Sequence, residues 1–332
     1  MKKVEFIFVF LLSFFVSSCN SNVDEIADDT KKSEVQEYIY SKDPSIVYAS
    51  NNSETAFNNQ GEIIELANGM FVKKISDDAY IFDSDMLLTA DQVKELEIYN
   101  EINPKSELQL RGTVSQQAKT WSNNTVYYTF NSNITRYFYW EIMYAIEQWS
   151  SQTQLKFVRA TGAKDYVEFI LGDDGSYSNV GRIGGRQYIN LDRSWADKGT
   201  VMHEIGHAIG MIHEHQCWIF HNDSNNSALV FKWDNIKSSA KSNYTQYSKA
   251  HDSYSAGIDD PNYPINSLMI YGSFSNFAMD SSKPVLTYRR SGGLEQTFNA
   301  QRSYLSVSDR MAVAKKYGYS YNPATDPNKP PI

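Results

Sequence analysis

The clearest hydrophobic periodicity in the chain lies at residues 135–149. Phe138, Ile142, Ile146 and Trp149 recur there at helical spacing, which predicts an amphipathic helix. Residues 125–130 instead alternate and are rich in Tyr, Val and Thr, the pattern of a half-buried strand. Residues 155–159, 166–171 and 187–191 read as further strands. A second helix is predicted at 198–209, closed by Gly210 as its C-terminal cap. A last helix is predicted at 306–317, with Ser306 as N-cap. Between 212 and 271 the periodicity is poor. Upstream, 71–75 and 79–88 hold short alternating stretches, and 90–99 reads as a helix opened by Thr89. Residues 100–115 are polar, contain Pro104, and read as a linker. A mixed sheet with two large helices, followed by an irregular half and a C-terminal helix, is an α+β plan.

Composition narrows the picture. The chain has 332 residues, 41% of them hydrophobic, enough for a packed core. A formal net charge of -8 argues against nucleic acid as a partner. The two cysteines, Cys19 and Cys217, exclude a disulfide framework, because Cys19 belongs to an export segment. That segment starts Met1-Lys2-Lys3, continues as an almost wholly apolar run over 4–16, and ends Val16-Ser17-Ser18-Cys19. It resembles a bacterial lipoprotein signal, in which the cysteine is lipidated and becomes the new N-terminus. An ordinary cleaved signal is the alternative. Residues 20–34 are polar and acidic and read as a tether. The resulting plan is a signal at 1–19, a tether and first region at 20–111, a main domain at 112–320, and a polar tail at 321–332.

The chemistry concentrates in His203-Glu204-Ile205-Gly206-His207-Ala208-Ile209-Gly210-Met211-Ile212-His213. Positions i and i+4 of a helix share a face, so His203 and His207 can bind one ion from the same side. Gly210 can adopt a left-handed conformation, break the helix and turn the chain back, bringing His213 in as a third ligand. Three nitrogen ligands with one open position describe a catalytic zinc site, and Glu204 is placed to take a proton from water. A closed structural site needs a fourth protein ligand, and Cys217 is the sole thiol nearby.

These residues resemble the astacin family of the metzincin clan of metallopeptidases. Glu214 directly follows the third histidine, and Asn266-Ser267-Leu268-Met269-Ile270-Tyr271-Gly272 is similar to the family's Met-turn. Ala300-Gln301-Arg302-Ser303-Tyr304-Leu305-Ser306 with Asp309 resembles its C-terminal signature. Residues 180–185 with Gln187 resemble the stretch leading to the edge strand above the cleft. The likeness covers about 121–317. It implies a metzincin-like catalytic domain that hydrolyses peptide bonds in proteins. It also implies one zinc ion, a methionine (Met269) beneath the metal, and a tyrosine (Tyr271) that can ligate it and later contact the oxyanion. Glu214 is then the partner of a buried mature N-terminus, made by an activating protease at Arg111-Gly112 or at Lys119.

Phe82-Asp83-Ser84-Asp85 resembles the family's inhibitory F-x-G-D motif, with Ser84 in place of Gly. The resemblance makes Asp85 the plug of the zinc site in a precursor, against the alternative of a turn with exposed acids. Three departures stand out: Cys217 to His221 stands where the family has an arginine-rich acidic stretch, Ile270 replaces a histidine, and the paired disulfides are absent. Arg182, Arg186 and Arg289 are candidates for a basic substrate pocket. Two other readings stay open: a zinc hydrolase acting on non-peptide substrates, and an inactive zinc-containing surface adhesin. The expected location is the outer membrane or cell surface, through Cys19, with release after cleavage.

Overall fold

Thr135 caps the helix that periodicity predicts, its side chain accepting the Phe138 N–H at 3.4 Å. In this computed structural model that helix, α2, spans Arg136–Gln152. The structure describes residues 61–66, 70–102, 118–217, 220–221, 228–245, 264–289, 293–322 and 325–326. All of them lie in one unit, Tyr48–Ile332. Cys19, the tether and Arg111-Gly112 fall outside the described residues.

A nine-stranded sheet organises the rest. Its strands are β1 (Glu62–Glu65), β2 (Phe71–Ser76), β3 (Ala79–Phe82), β4 (Met86–Leu88), β5 (Thr125–Phe130), β6 (Lys156–Arg159), β7 (Tyr166–Gly172), β8 (Tyr177–Asn179) and β9 (Arg186–Asp192). The order is β1-β2-β3-β4-β8-β9-β7-β5-β6. β1 to β4 form an antiparallel meander, and β4 joins β8 in parallel, with Met86 opposite Ser178. The first region therefore extends the sheet of the second. Helix α1 (Ala90–Ile102) follows β4, opened by reciprocal bonds between Thr89 and Gln92. It runs two residues past Asn100, into the predicted linker.

The apolar face of α2 (Phe138, Ile142, Ile146 and Trp149) packs on Val126, Val167, Phe169, Ile189 and Leu191 of the sheet. The same core takes in Val201, Met202 and Ile205 of α3 (Lys198–Ala208). Fully burying each such large side chain contributes roughly 1.5–3 kcal/mol. The buried indoles of Trp149 and Trp121 keep their N–H satisfied: Trp149 donates to Met202 O at 3.0 Å and Trp121 to Ala208 O at 2.9 Å. These bonds fix α3, which carries the chemistry, against the layer behind it. A second cluster, including Met70, Phe82, Met86, Leu88 and Leu96, reaches across to Val180 and Ile212.

The half with poor periodicity holds short 3₁₀ turns and a small sheet of β10 (Leu229–Phe231), β11 (Leu286–Arg289) and β12 (Glu295–Gln296). It folds over a third cluster that includes Cys217, Phe220, Tyr244, Ile270 and Leu286. Helix α4 (Val307–Lys316) begins at Ser306 with a full capping box to Asp309. Beyond it, Tyr321 accepts from Arg310 at 3.1 Å and Asp326 pairs with Arg310 at 3.0 Å, so the start of the polar tail is docked. Among the described residues no helix is long and apolar enough to cross a membrane.

Glu295 ties the small sheet together through Lys232, Arg289 (2.9 Å) and Thr287 (2.8 Å). The Lys232, Arg289 and Thr287 bonds hold its carboxyl down at about 2. A depressed carboxyl stabilises the fold above its unfolded pKa, and that stabilisation is lost as pH falls toward the folded value. Glu295→Gln is therefore expected to lower the melting temperature at pH 7, with the difference from wild type shrinking between about pH 4.5 and 2. Thermal melts across that range check it.

Candidate metal centre

The site begins with the C-terminal end of α3. His203 and His207 stand one turn apart, with ring centroids 4.8 Å from each other. Gly210, at φ +100°, ends the helix as foreseen. Its N–H bonds His207 O at 2.8 Å and the Met211 N–H bonds Gly206 O at 2.9 Å, so the last turn is closed by bonds from beyond its end. The chain then turns back through buried Ile212 to His213, whose Nε2 lies 3.2 Å from that of His203.

Each imidazole is held from behind. His203 Nδ1 faces Leu268 O at 3.0 Å, His207 Nδ1 faces Met211 O at 2.9 Å, and His213 Nδ1 faces Asp83 Oδ2 at 2.5 Å. An oxygen acceptor at Nδ1 places the proton there and leaves the Nε2 lone pair pointing into the centre. Asp85 enters from the opposite side. Its Oδ2 lies 3.2 Å from His213 Nε2 and 3.5 Å from His203 Nε2, and its Oδ1 lies 3.7 Å from His207 Nε2. The structure thus brings His203, His207, His213 and Asp85 together as one group of candidate ligand atoms. The acids at 83 and 85 are not an exposed turn.

Donor chemistry and spacing both fit zinc. Converging lone pairs repel unless a cation sits among them. Tetrahedral ligation at about 2.0–2.1 Å spaces the donor atoms about 3.3–3.4 Å apart, close to the separations seen. His207 Nε2, Asp85 Oδ1 and Glu204 Oε2 are buried with no hydrogen-bond partner. Such orphaned atoms are costly without a metal or bound water.

Electrostatics point the same way. Burial first, then the Arg302 guanidinium, holds His203 well below the usual imidazole range. Burial and then His207 do the same to His213, and burial lowers His207. All three therefore present neutral rings, the ligating form. Burial, followed by the Asp85 charge, pushes both Glu204 and Asp83 well above the ordinary carboxyl range. A divalent cation reverses that pressure on nearby carboxylates.

Below the histidines, Met269 fills the space under α3. A Cβ on Gly206 would sit 2.7 Å from Met269 Sδ, so glycine is required for this close approach. The Met269 turn is pinned from α4. Buried Asp309 accepts from Ser267 Oγ at 2.8 Å, Leu268 N at 3.0 Å and Ser306 N at 2.8 Å. The Leu268 carbonyl so positioned is the acceptor behind His203. Tyr271 OH donates to Asp83 O at 3.0 Å and lies 3.1 Å from Ser84 Oγ. Ser84, where the inhibitory motif has glycine, takes φ +64°, a conformation glycine favours. Glu214 is buried, and its N–H bonds Met269 O at 2.9 Å.

Glu204, Arg302 and Trp195 line a cleft of about 590 Å³ together with residues 83–85. The arginines singled out from sequence are engaged elsewhere. Arg182 pairs with Asp165 (2.5 Å), Arg186 with Glu168 (3.5 Å) and Arg289 with Glu295 (2.9 Å). Positive charge at the cleft comes instead from Lys73 and from Arg302, whose Nη1 donates to Ile270 O at 3.0 Å. Residues 180–185 are likewise placed differently from expectation. They lead into β9, which is flanked on both sides, whereas unpredicted β8 is the strand that meets β4. After Glu214, His215 is buried and bonds Asn243 O at 2.8 Å, Cys217 and Phe220 fill the third cluster, and His221 bonds His215 O at 3.0 Å. Cys217 takes part in no disulfide.

The sequence pattern of the Astacin peptidase family matches residues 113–318. The chain belongs to the astacin family. Astacin-family relatives include zinc metalloproteinase nas-36 of Caenorhabditis briggsae, 32% identical over 76% of this chain and 39% of that protein. Zinc metalloproteinase nas-4 of Caenorhabditis elegans is 30% identical over 62% of this chain and 62% of that protein. The chain thus spans about two fifths of the first relative's length. Among solved structures, high choriolytic enzyme 1, a hatching enzyme zinc-protease from the medaka Oryzias latipes, is similar with a TM-score of 0.50 and 24% identity. That alignment covers 61% of this chain and 94% of that one, and it supports the astacin fold.

Asp309→Ala is expected to strand the Leu268 N–H and the Ser267 hydroxyl, each costing about 1–3 kcal/mol. It should also weaken zinc binding about tenfold by loosening the acceptor behind His203. Urea unfolding and zinc titration measure the two effects.

Proposed function

We propose that the chain is a zinc-dependent endopeptidase, made as a precursor that residues 83–85 keep silent. The observation that carries this is the convergence of three Nε2 atoms, each with its Nδ1 held by an oxygen, beside buried Glu204. His203, His207 and His213 hold the ion. Bound zinc supplies Lewis-acid polarisation of a carbonyl and acidifies water. Glu204 takes the proton of the attacking water and delivers it to the leaving amine. Met269 supports the ring layer without reacting.

In the precursor, Asp85 occupies the side of the histidines that a substrate carbonyl needs, and Tyr271 is tied to Asp83. Once the segment leaves, the Tyr271 hydroxyl becomes available to donate to the developing oxyanion. An activating protease cuts at Arg111-Gly112 rather than at Lys119. The backbone at 118–119 is engaged, Ala118 O by Lys316 (2.7 Å) and Lys119 O by the Arg182 N–H (2.9 Å), which supports the first site. Buried Glu214 then receives the new N-terminal ammonium, because an ammonium taken into the interior needs a carboxylate beside it. Cys19 anchors the precursor by lipid at the cell surface or outer membrane, and the cut releases the catalytic part. A Cys19→Ser variant that still incorporates labelled palmitate contradicts the anchor.

Glu204→Gln is expected to keep one zinc per chain and to lose peptide hydrolysis by at least about a hundredfold. A peptide-library digest with and without a chelator, run on the processed protein, reads this. Activity confined to ester or sugar substrates supports the non-peptide reading instead, and zinc without any turnover supports the adhesin. In the uncut full chain, Asp85→Ala should gain peptidase activity that wild type lacks. A silent Asp85→Ala that binds zinc removes Asp85 as the plug.

A further inference from the structure

The turn that carries Asp85 brings a second carboxylate to the centre, behind His213. Asp83 is 3% exposed, and its Oδ2 lies 2.5 Å from His213 Nδ1. The other two histidines take their Nδ1 acceptors from backbone carbonyls of the second region, Leu268 O and Met211 O. His213 differs: its acceptor belongs to the segment that activation removes. The same residue holds Tyr271, whose hydroxyl donates to Asp83 O at 3.0 Å with Asp83 Oδ1 at 3.2 Å. His215 does not compete for the carboxylate, because its Nε2 bonds Asn243 O at 2.8 Å and stands 3.8 Å from Asp83 Oδ2.

The backbone shows how firmly this arrangement is held. Asp83 and Ser84 take φ +49° and +64°, two successive left-handed residues neither of which is glycine. Such a conformation persists where surrounding contacts over-determine it. Those contacts are the His213 and Tyr271 bonds, the Asp85 N–H to Asp83 O at 2.9 Å, and the Ser178 N–H to Asp85 O at 2.9 Å.

We propose that Asp83 is the positioning residue of the third metal ligand in the precursor: it fixes the His213 ring and ties down Tyr271 while Asp85 covers the Nε2 face. The inference rests on the zinc reading above and adds a consequence to it. Removing the pro-segment opens the site and also takes away the acceptor behind His213, so the precursor holds its metal more tightly than the processed protein. A carboxylate behind a ligating imidazole orients the ring and raises its basicity, and losing such a partner weakens metal binding by about 10–100-fold.

The test uses the full, uncut chain loaded with zinc, following transfer of the metal to a chromogenic chelator. Asp83→Ala should release zinc about 10–100-fold faster than wild type. Asp83→Asn, whose amide oxygen still accepts the Nδ1 proton, should fall between the two. Should the alanine variant not fold, the asparagine variant loaded with cobalt serves, and its visible ligand-field bands should shift from those of wild type. Wild-type release rates in both Asp83 variants, or an unshifted cobalt spectrum in Asp83→Asn, overturn the proposal. A wild-type chain that takes up no zinc or cobalt instead overturns the zinc reading, and this inference falls with it.

Discussion

The structure turns on three oxygen atoms that accept from Nδ1 of His203, His207 and His213. They aim three lone pairs at one point inside a buried region, where uncompensated convergence is unfavourable. The surrounding architecture serves that placement. The core behind α3 sets the height of His203 and His207, the left-handed Gly210 returns the chain to His213, and Asp309 on α4 holds the Leu268 carbonyl behind His203. Two of the acceptors, Leu268 O and Asp83 Oδ2, come from distant parts of the chain, so the full set assembles only when those parts are folded together.

What the sequence disclosed follows from range. The histidine spacing, the Gly210 break, the Thr135 and Ser306 caps and the α2 face are local patterns, readable because helix geometry couples residues three and four apart. The Asp85 placement was legible through a short motif. Asp83 was not, because its significance lies in a contact 130 positions away in sequence. Asp309 was visible as a signature residue, but its hold on Leu268, 41 positions away, was not. Arg302 was visible as a signature residue, but nothing local distinguishes a cleft-lining arginine from the paired arginines at 182, 186 and 289. β8 and β10–β12 are two to four residues long, too short to show a period.

Sheet continuity explains how a short acidic turn can be held so deep. β1 to β4 add to the sheet beside β8, and Phe82, Met86 and Leu88 bury on either side of the turn. Residues 83–85 are thereby strung between two anchored strands, which together with the His213 and Tyr271 bonds hold the left-handed backbone of Asp83 and Ser84. Apolar burial and strand pairing provide the anchorage, and the carboxylates at the tip provide the chemistry.

The most direct test of the central claim is zinc K-edge X-ray absorption on the purified full chain. The account predicts one zinc with three imidazole nitrogens at about 2.0–2.1 Å and one oxygen ligand. Sulfur scattering at about 2.3 Å, or coordination by fewer than three imidazoles, contradicts it.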